Sequence, residues 1–178
     1  MNNQKKYHLF DVLIYAILLA LAFLFQSTSI LFKYNSPAPS LVLALVLIIS
    51  FYENYWFSAI FGLISGILLD IISVNGVGFH ALTYMLTGII CSSVMKRYLQ
   101  NNFASFAVIS IPVIIIHQFA EILYSSGFDS GIITLFLKYY LIVAIYTFAS
   151  AFVLYIIFRY TLKRSERFVK PKGIINKK

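Results

Sequence analysis

The stretch GLISGILLDIISVNGVG, residues 62–78, decides how the rest of the chain is interpreted. It is apolar enough for a membrane interior, yet it carries an aspartate near its middle. Small or polar residues recur at every fourth position and therefore share one helix face: Ser58, Gly62, Gly66 and Asp70. Small residues at this spacing let a second helix backbone approach closely within a membrane. This face packs either on another helix of the same chain or, as the functional hypothesis, on a helix of another protein.

The composition indicates a membrane protein along most of the chain. Of 178 residues, 61% are hydrophobic and 11% charged, with a mean hydropathy of +0.87, whereas soluble domains have about 25% charged residues. A span needs about 20 apolar residues. Six apolar segments lie at approximately 10–32, 38–53, 55–73, 78–95, 103–125 and 131–158. The sequence predicts an all-α integral membrane protein, a compact bundle of six transmembrane helices.

The basic residues predict how this bundle is oriented. The second segment, SLVLALVLIISFY, is short enough for a re-entrant loop. With six crossings, however, 12 Lys and Arg residues lie on one side and two on the other, and basic residues favour the cytoplasmic side. We therefore predict six crossings with both termini in the cytoplasm, a bundle over residues 1–160 and a basic tail over residues 161–178. A basic tail beside a membrane is typical of binding to anionic lipid, which accounts for the net charge of +8 without nucleic acid.

Asp70 and the glycines after it predict an ordered turn. A carboxylate at the C-terminal end of a helix opposes the helix dipole, so helix stability alone does not explain Asp70. We expect it to accept hydrogen bonds from backbone N–H groups of residues 74–78. Gly76 and Gly78 would supply the backbone freedom that such a turn requires. This structural role is favoured over catalysis.

His117 and Glu121 are the other ionisable pair at membrane depth. They lie four residues apart in the fifth segment and share a face. Two interpretations stay open: a hydrogen-bonded pair that ties this segment to its neighbours, or a proton relay. A metal site would need about four ligands, and no further ligands cluster here. The chain also has neither a nucleophile elbow nor a phosphate-binding loop. We therefore predict no metal, no cofactor, no catalytic residue and no enzyme activity.

One motif resembles a known family. Residues 62–88 read G-x-x-x-G-x-x-x-D-x-x-S-x-x-x-x-G and then A-L-x-Y-x-x-x-G, which resembles MreD, the integral membrane component of the bacterial rod-shape system. The resemblance extends to Gln26 late in the first segment, to Pro39 and Ser40 at the start of the second, and to the basic C-terminal end. Two features depart from the family: its frequent Gly-Ser-Pro-Leu-Gly turn is replaced at residues 74–78, and Ser40 stands where many members have Asp or Asn.

The resemblance implies a function and partners. It implies a non-enzymatic scaffold of the cell-wall elongation complex in the bacterial cytoplasmic membrane. The implied partners are MreC, a class B penicillin-binding transpeptidase, the RodA polymerase and, indirectly, MreB filaments, together with membrane lipids. We expect docking at the face of Ser58, Gly62 and Gly66 and at the turn between Asp70 and Gly78.

A second spacing supports an alternative function. Ala16 and Ala20 form a small-residue pair on the first segment. A similar alanine pattern is the coupling surface of the substrate-binding subunits of energy-coupling-factor vitamin transporters, whose six-helix fold MreD-like proteins are thought to resemble. As such a subunit, the chain would couple through Ala16 and Ala20. It would also hold a polar cavity open to the outside, lined by Asp70, Asn75, His80 or Glu121.

Overall fold

Every regular secondary-structure element in the described part of the chain is a helix. The computed structural model describes residues 3–27, 39–72, 78–98, 103–126, 134 and 136–169, with side chains within 11–27, 39–72, 78–97, 103–124, 134 and 137–160. The α-helices in these ranges are α1 Asn3–Ser27, α2 Leu41–Tyr52, α3 Tyr55–Ile72, α4 Phe79–Tyr98, α5 Phe103–Ser126 and α6 Leu141–Val169. A π-helix, Phe136–Tyr140, immediately precedes α6. The all-α prediction is confirmed.

The shortest helix, α2, forms the centre of the bundle. Its sequence LVLALVLIISFY is apolar on every face, and a helix of that kind is buried on all sides. Ten consecutive residues, 42–51, are buried, and α1, α3, α4 and α6 all pack against α2. At 12 residues, α2 is about 18 Å long, which is shorter than the hydrocarbon layer of about 30 Å. The protein around α2, and not lipid, therefore surrounds most of its length.

Three helices within the described residues are long and apolar enough to cross a membrane. They cover Tyr55–Ile72, Phe103–Tyr124 and Leu137–Tyr160. Only 33%, 33% and 28% of their most apolar windows is buried inside the protein, so most of this apolar surface points outward, where lipid would cover it. The chain is a membrane protein. Six crossings and cytoplasmic termini stay predictions.

Polar side chains of α1 and α4 contact the turn between α2 and α3. Tyr15 of α1 donates a hydrogen bond from its hydroxyl to Glu53 Oε1 at 3.0 Å. From α4, Ser92 Oγ donates to the Glu53 backbone carbonyl at 2.8 Å, and Lys96 Nζ donates to Asn54 Oδ1. The turn between α2 and α3 is thereby fixed to α1 and α4.

The last helix continues beyond the predicted boundary of the bundle. α6 ends at Val169, so the first nine residues of the predicted tail, 161–169, extend α6 as helix. Residues 170–178 lie outside the described range.

Candidate functional site

Helices α3 and α4 pack with their backbones in close contact. Gly62 and Gly66 lie so near α4 that an added Cβ would overlap its backbone atoms. Gly88 of α4 stands in the same relation to the backbone of Ser58, whose side chain is buried. Of the two alternatives for the Ser58–Gly62–Gly66 face, packing within the chain is the one observed. Because α4 fills this face, a partner's helix has no room there.

Asp70 follows Gly66 by four residues on the same face of α3, and it fixes the start of α4. Its Oδ1 accepts the backbone N–H of His80 and its Oδ2 that of Ala81, both at 3.0 Å. The carboxylate therefore caps an N-terminus on the next helix, where negative charge is favourable. The sequence predicted acceptance from backbone N–H groups; these donors lie just beyond the expected turn of residues 74–78. Residues 73–77, which include Gly76, lie outside the described residues.

Gly78 confirms the need for backbone freedom at the end of that turn. Its φ is +96°, a conformation that residues with a side chain rarely adopt. Nothing lies within 4 Å of the position that a Cβ would take. Conformation, and not lack of space, therefore favours glycine at this position.

The N-terminus of α2 is held by side chains from distant parts of the sequence. Gln26 Oε1 of α1 accepts the N–H of Val42 at 3.1 Å. Thr147 Oγ1 of α6 accepts the N–H of Ser40 at 3.0 Å. The Ser40 hydroxyl lies 3.0 Å from the Tyr84 hydroxyl of α4. Because lipid offers no hydrogen bonds, a helix that begins inside the bundle needs partners of this kind.

A cavity opens where α2 begins, and we call it the α2-end cavity. Its volume is about 410 Å³. Its wall is formed by residues of α1, α3, α4, α5 and α6, by Tyr140 of the π-helix, and by Pro39 and Ser40, which precede α2. It therefore lies at the end of the bundle where α2 begins. Its polar lining residues are Gln26, Ser27, Ser40, His80, Tyr84, Gln118, Glu121 and Tyr140. Its apolar lining residues are Pro39, Leu69, Ile72 and Val143.

Two residues that line this cavity carry buried polar atoms without a protein partner. Gln118 is 1% exposed, and neither its Oε1 nor its Nε2 has a hydrogen-bond partner. His80 Nδ1 is also buried without one. Such groups are uncommon in folded proteins, since each costs about 1–3 kcal/mol when its hydrogen bond is not made. Both atoms of the Gln118 amide therefore lack a hydrogen-bond partner beside this cavity.

His117 and Glu121 lie close together, but neither ring nitrogen of His117 has a hydrogen-bond partner in the structure. His117 Nδ1 is 3.9 Å from Glu121 Oε2, which is beyond hydrogen-bond distance. The His117 ring instead packs on neighbouring rings, with centroids 5.1 Å from Tyr84 and 6.5 Å from His80. His117 therefore ties α5 to α4 through ring contacts. Within the described residues, no group of three or more His, Cys, Asp or Glu side chains could hold a metal ion.

Ala16 and Ala20 remain accessible on the surface of α1. Both are exposed, whereas Tyr15 and Leu19 beside them are buried in the bundle. Ile17 is exposed on the same side. This side of α1 is an apolar, small-residue face that no other described helix covers.

A comparison with protein families identifies the chain. The family model for the rod shape-determining protein MreD matches residues 6–165, which is nearly the whole of the 178-residue chain. The chain belongs to the MreD family. The suspected resemblance is thereby confirmed, and the family's role is the determination of rod shape. No curated protein and no solved structure matches this MreD-family chain.

The sequence analysis did not single out Gln118, a buried residue of this MreD-family protein whose two amide atoms both lack a partner. Gln118 is adjacent to His117 in an apolar helix, and a polar side chain at that depth was itself a signal. Thr147 and Tyr84 were also missed, because hydroxyl groups in membrane helices commonly make only local contacts. Their role depends on Ser40, which is far from both in sequence.

Proposed function

We propose that this MreD-family chain is a non-enzymatic scaffold of the cell-wall elongation complex in the bacterial cytoplasmic membrane. It would cross that membrane six times, with both termini in the cytoplasm. The observation that carries the proposal is the family match over residues 6–165. The connections between α2 and α3 and between α4 and α5 are too short for a further domain. We therefore expect contact with partners to run mainly through helix faces, helix ends and short loops.

The proposed partners are MreC, a class B penicillin-binding transpeptidase and the RodA polymerase, with MreB filaments reached indirectly. Since α4 covers the Gly62 and Gly66 face, we place the helix-docking surface on α1, at Ala16 and Ala20. Small residues on an exposed, apolar helix face allow close approach of a partner's helix. The basic tail would bind anionic lipid of the inner leaflet.

The test is rescue of cell shape by variants of the protein. In cells of the source bacterium that lack the native copy, we expect the wild-type chain to restore rod shape. The double variant Ala16→Leu/Ala20→Leu should fail, because two bulky side chains would hold a partner's helix away. Ala149→Leu is a matched control, since Ala149 is an exposed alanine on α6.

Membrane abundance of all variants is measured in the same cells. Normal rods from the double variant at wild-type abundance would remove α1 as the docking surface. Failure of the wild-type chain itself to restore rod shape would contradict the proposed function.

A second function is favoured by one observation, the α2-end cavity. A substrate-binding subunit of a vitamin transporter needs a polar cavity, and His80 and Glu121 line this one. In that case the α1 double variant would lose vitamin uptake while the cells remain rod-shaped. Loss of rod shape with normal uptake would favour the scaffold.

A further inference from the structure

We infer that the α2-end cavity binds a small polar ligand carrying a positively charged ammonium group beside an amide or hydroxyl group. The inference rests on the size of the cavity, on the unpaired amide of Gln118 and on the sign of the charge that the cavity presents. It applies equally to a scaffold and to a transporter subunit.

The cavity exists because α2 is short. A helix of 12 residues covers about 18 Å of a layer about 30 Å thick. Helices α4 and α6 extend past its start, because Tyr84 and Thr147, which contact Ser40, lie more than a turn inside these helices. The space left at this end is about 410 Å³. Ligand sites in proteins commonly measure about 300–1,000 Å³, so the cavity is large enough for a small molecule.

Gln118 defines what a ligand must offer. Its side chain is 1% exposed, so bulk water does not satisfy it, and both amide atoms lack a protein partner. A primary amide donates through nitrogen and accepts through oxygen. The complementary group must both accept and donate, which an amide or a hydroxyl group does. His80 Nδ1 adds a further unpaired ring nitrogen in the same wall.

The described lining residues favour a cation over an anion. Glu121 is the ionisable carboxyl group among the lining residues of the described chain, and these include neither lysine nor arginine. Its side chain is 37% exposed, so its oxygens are accessible. The start of α2 does not supply a competing anion site, because Gln26 already accepts the Val42 N–H. An ammonium group therefore has a partner here, whereas a carboxylate or phosphate would meet repulsion.

Glycinamide is a suitable probe because it combines an ammonium group with a primary amide. The full-length protein is purified in neutral detergent, and its unfolding temperature is measured against probe concentration at constant ionic strength. We expect glycinamide to raise the unfolding temperature and to saturate with a Kd on the order of millimolar, which suits so small a ligand. Acetamide should act more weakly, and sodium acetate should have no effect beyond that of sodium chloride.

Two variants locate the binding. Glu121→Gln keeps the size of the side chain and removes its charge, so we expect glycinamide to bind at least tenfold more weakly. Gln118→Leu should weaken binding as well without lowering the unfolding temperature of the free protein, because it removes a buried amide that has no partner. Asp11→Asn is the control, since it removes an acidic group from α1 away from the cavity.

Three results would overturn the inference. One is the lack of a saturating effect of glycinamide, which would mean that water alone fills the cavity. Another is an equal effect of acetate, and the third is an unchanged glycinamide effect in Glu121→Gln. Because the assay uses purified protein, such a failure is separate from any failure to restore cell shape.

Discussion

Single side chains close the ends of helices that begin inside this bundle. Asp70 accepts two backbone N–H groups at the start of α4, and Gln26 and Thr147 each accept one near the start of α2. In a bilayer an unpaired backbone group costs several kcal/mol. We therefore expect these three side chains to stabilise the starts of α2 and α4.

Replacement of Asp70 tests this role. We expect Asp70→Ala to lower the free energy of unfolding by about 1.5–3 kcal/mol, because hydrogen bonds to a charged acceptor are lost. Asp70→Asn, which retains one acceptor oxygen, should lose roughly half as much. The measurement is unfolding of the purified protein in mixed micelles with increasing SDS. Asp11→Ala, in the middle of α1, should change little, and equal stability of Asp70→Ala and wild type would contradict the capping role.

The hydroxyl of Thr147 offers a second test with a near-isosteric change. Thr147 is buried and accepts the Ser40 N–H at 3.0 Å. Thr147→Val keeps the shape and removes the acceptor, so we expect a loss of about 1–3 kcal/mol. Ser150→Ala is the comparison, because the Ser150 hydroxyl donates to the carbonyl of Thr147 in its own helix. A Thr147→Val variant as stable as Ser150→Ala would argue against the link between α6 and α2.

The close contact between α3 and α4 depends on glycines, because a side chain at these positions would separate the two helices. Gly→Ala normally favours a helix by about 1 kcal/mol. At Gly62 and Gly66, however, the new Cβ would overlap α4 backbone, and overpacking costs about 1–3 kcal/mol. We therefore expect Gly62→Ala and Gly66→Ala to destabilise the protein in SDS unfolding, against their helix propensity.

The control for this helix contact is Ser93→Ala, on the exposed side of α4. It should change the free energy of unfolding by no more than about 0.5 kcal/mol. A stabilised Gly62→Ala variant would show that α3 and α4 are not in close contact.

The arrangement of the helices also shows how much of the fold the sequence predicts. The all-helical class followed from long apolar runs, and the central place of α2 agrees with a run that is apolar on every face. The spacing of Gly62 and Gly66 correctly indicated close backbone contact. It did not distinguish α4 from a partner's helix, because the same spacing serves both.

The sequence alone could not predict the α2-end cavity, for a different reason. Its wall combines residues from Gln26 to Val143, and nothing local indicates that they meet. The vitamin-transporter alternative did place His80 and Glu121 at a cavity, but only by analogy. Gln118, both of whose amide atoms lack a partner, belongs to no periodic pattern in the sequence.

For the whole molecule, the predicted topology depends on whether α2 crosses the membrane. In a Cys91→Ser background, single cysteines at Asn35, Asn101 and Ser130 are labelled with a membrane-impermeant maleimide at the outer face of the cytoplasmic membrane. Six crossings predict labelling of positions 35 and 130, and of position 101 only after lysis. If α2 does not cross while the N-terminus stays inside, positions 101 and 130 exchange sides, which would contradict six crossings.

As a scaffold of the wall-elongation complex, this MreD-family chain should bind other proteins of that complex in the membrane. The most direct measurement is purification of the tagged protein from its own membranes in mild detergent, with co-purifying proteins identified by mass spectrometry. We expect recovery of MreC together with a class B transpeptidase, and their loss from the Ala16→Leu/Ala20→Leu variant but not from Ala149→Leu. Recovery of paired transporter ATPases and a membrane coupling subunit, without MreC, would contradict it.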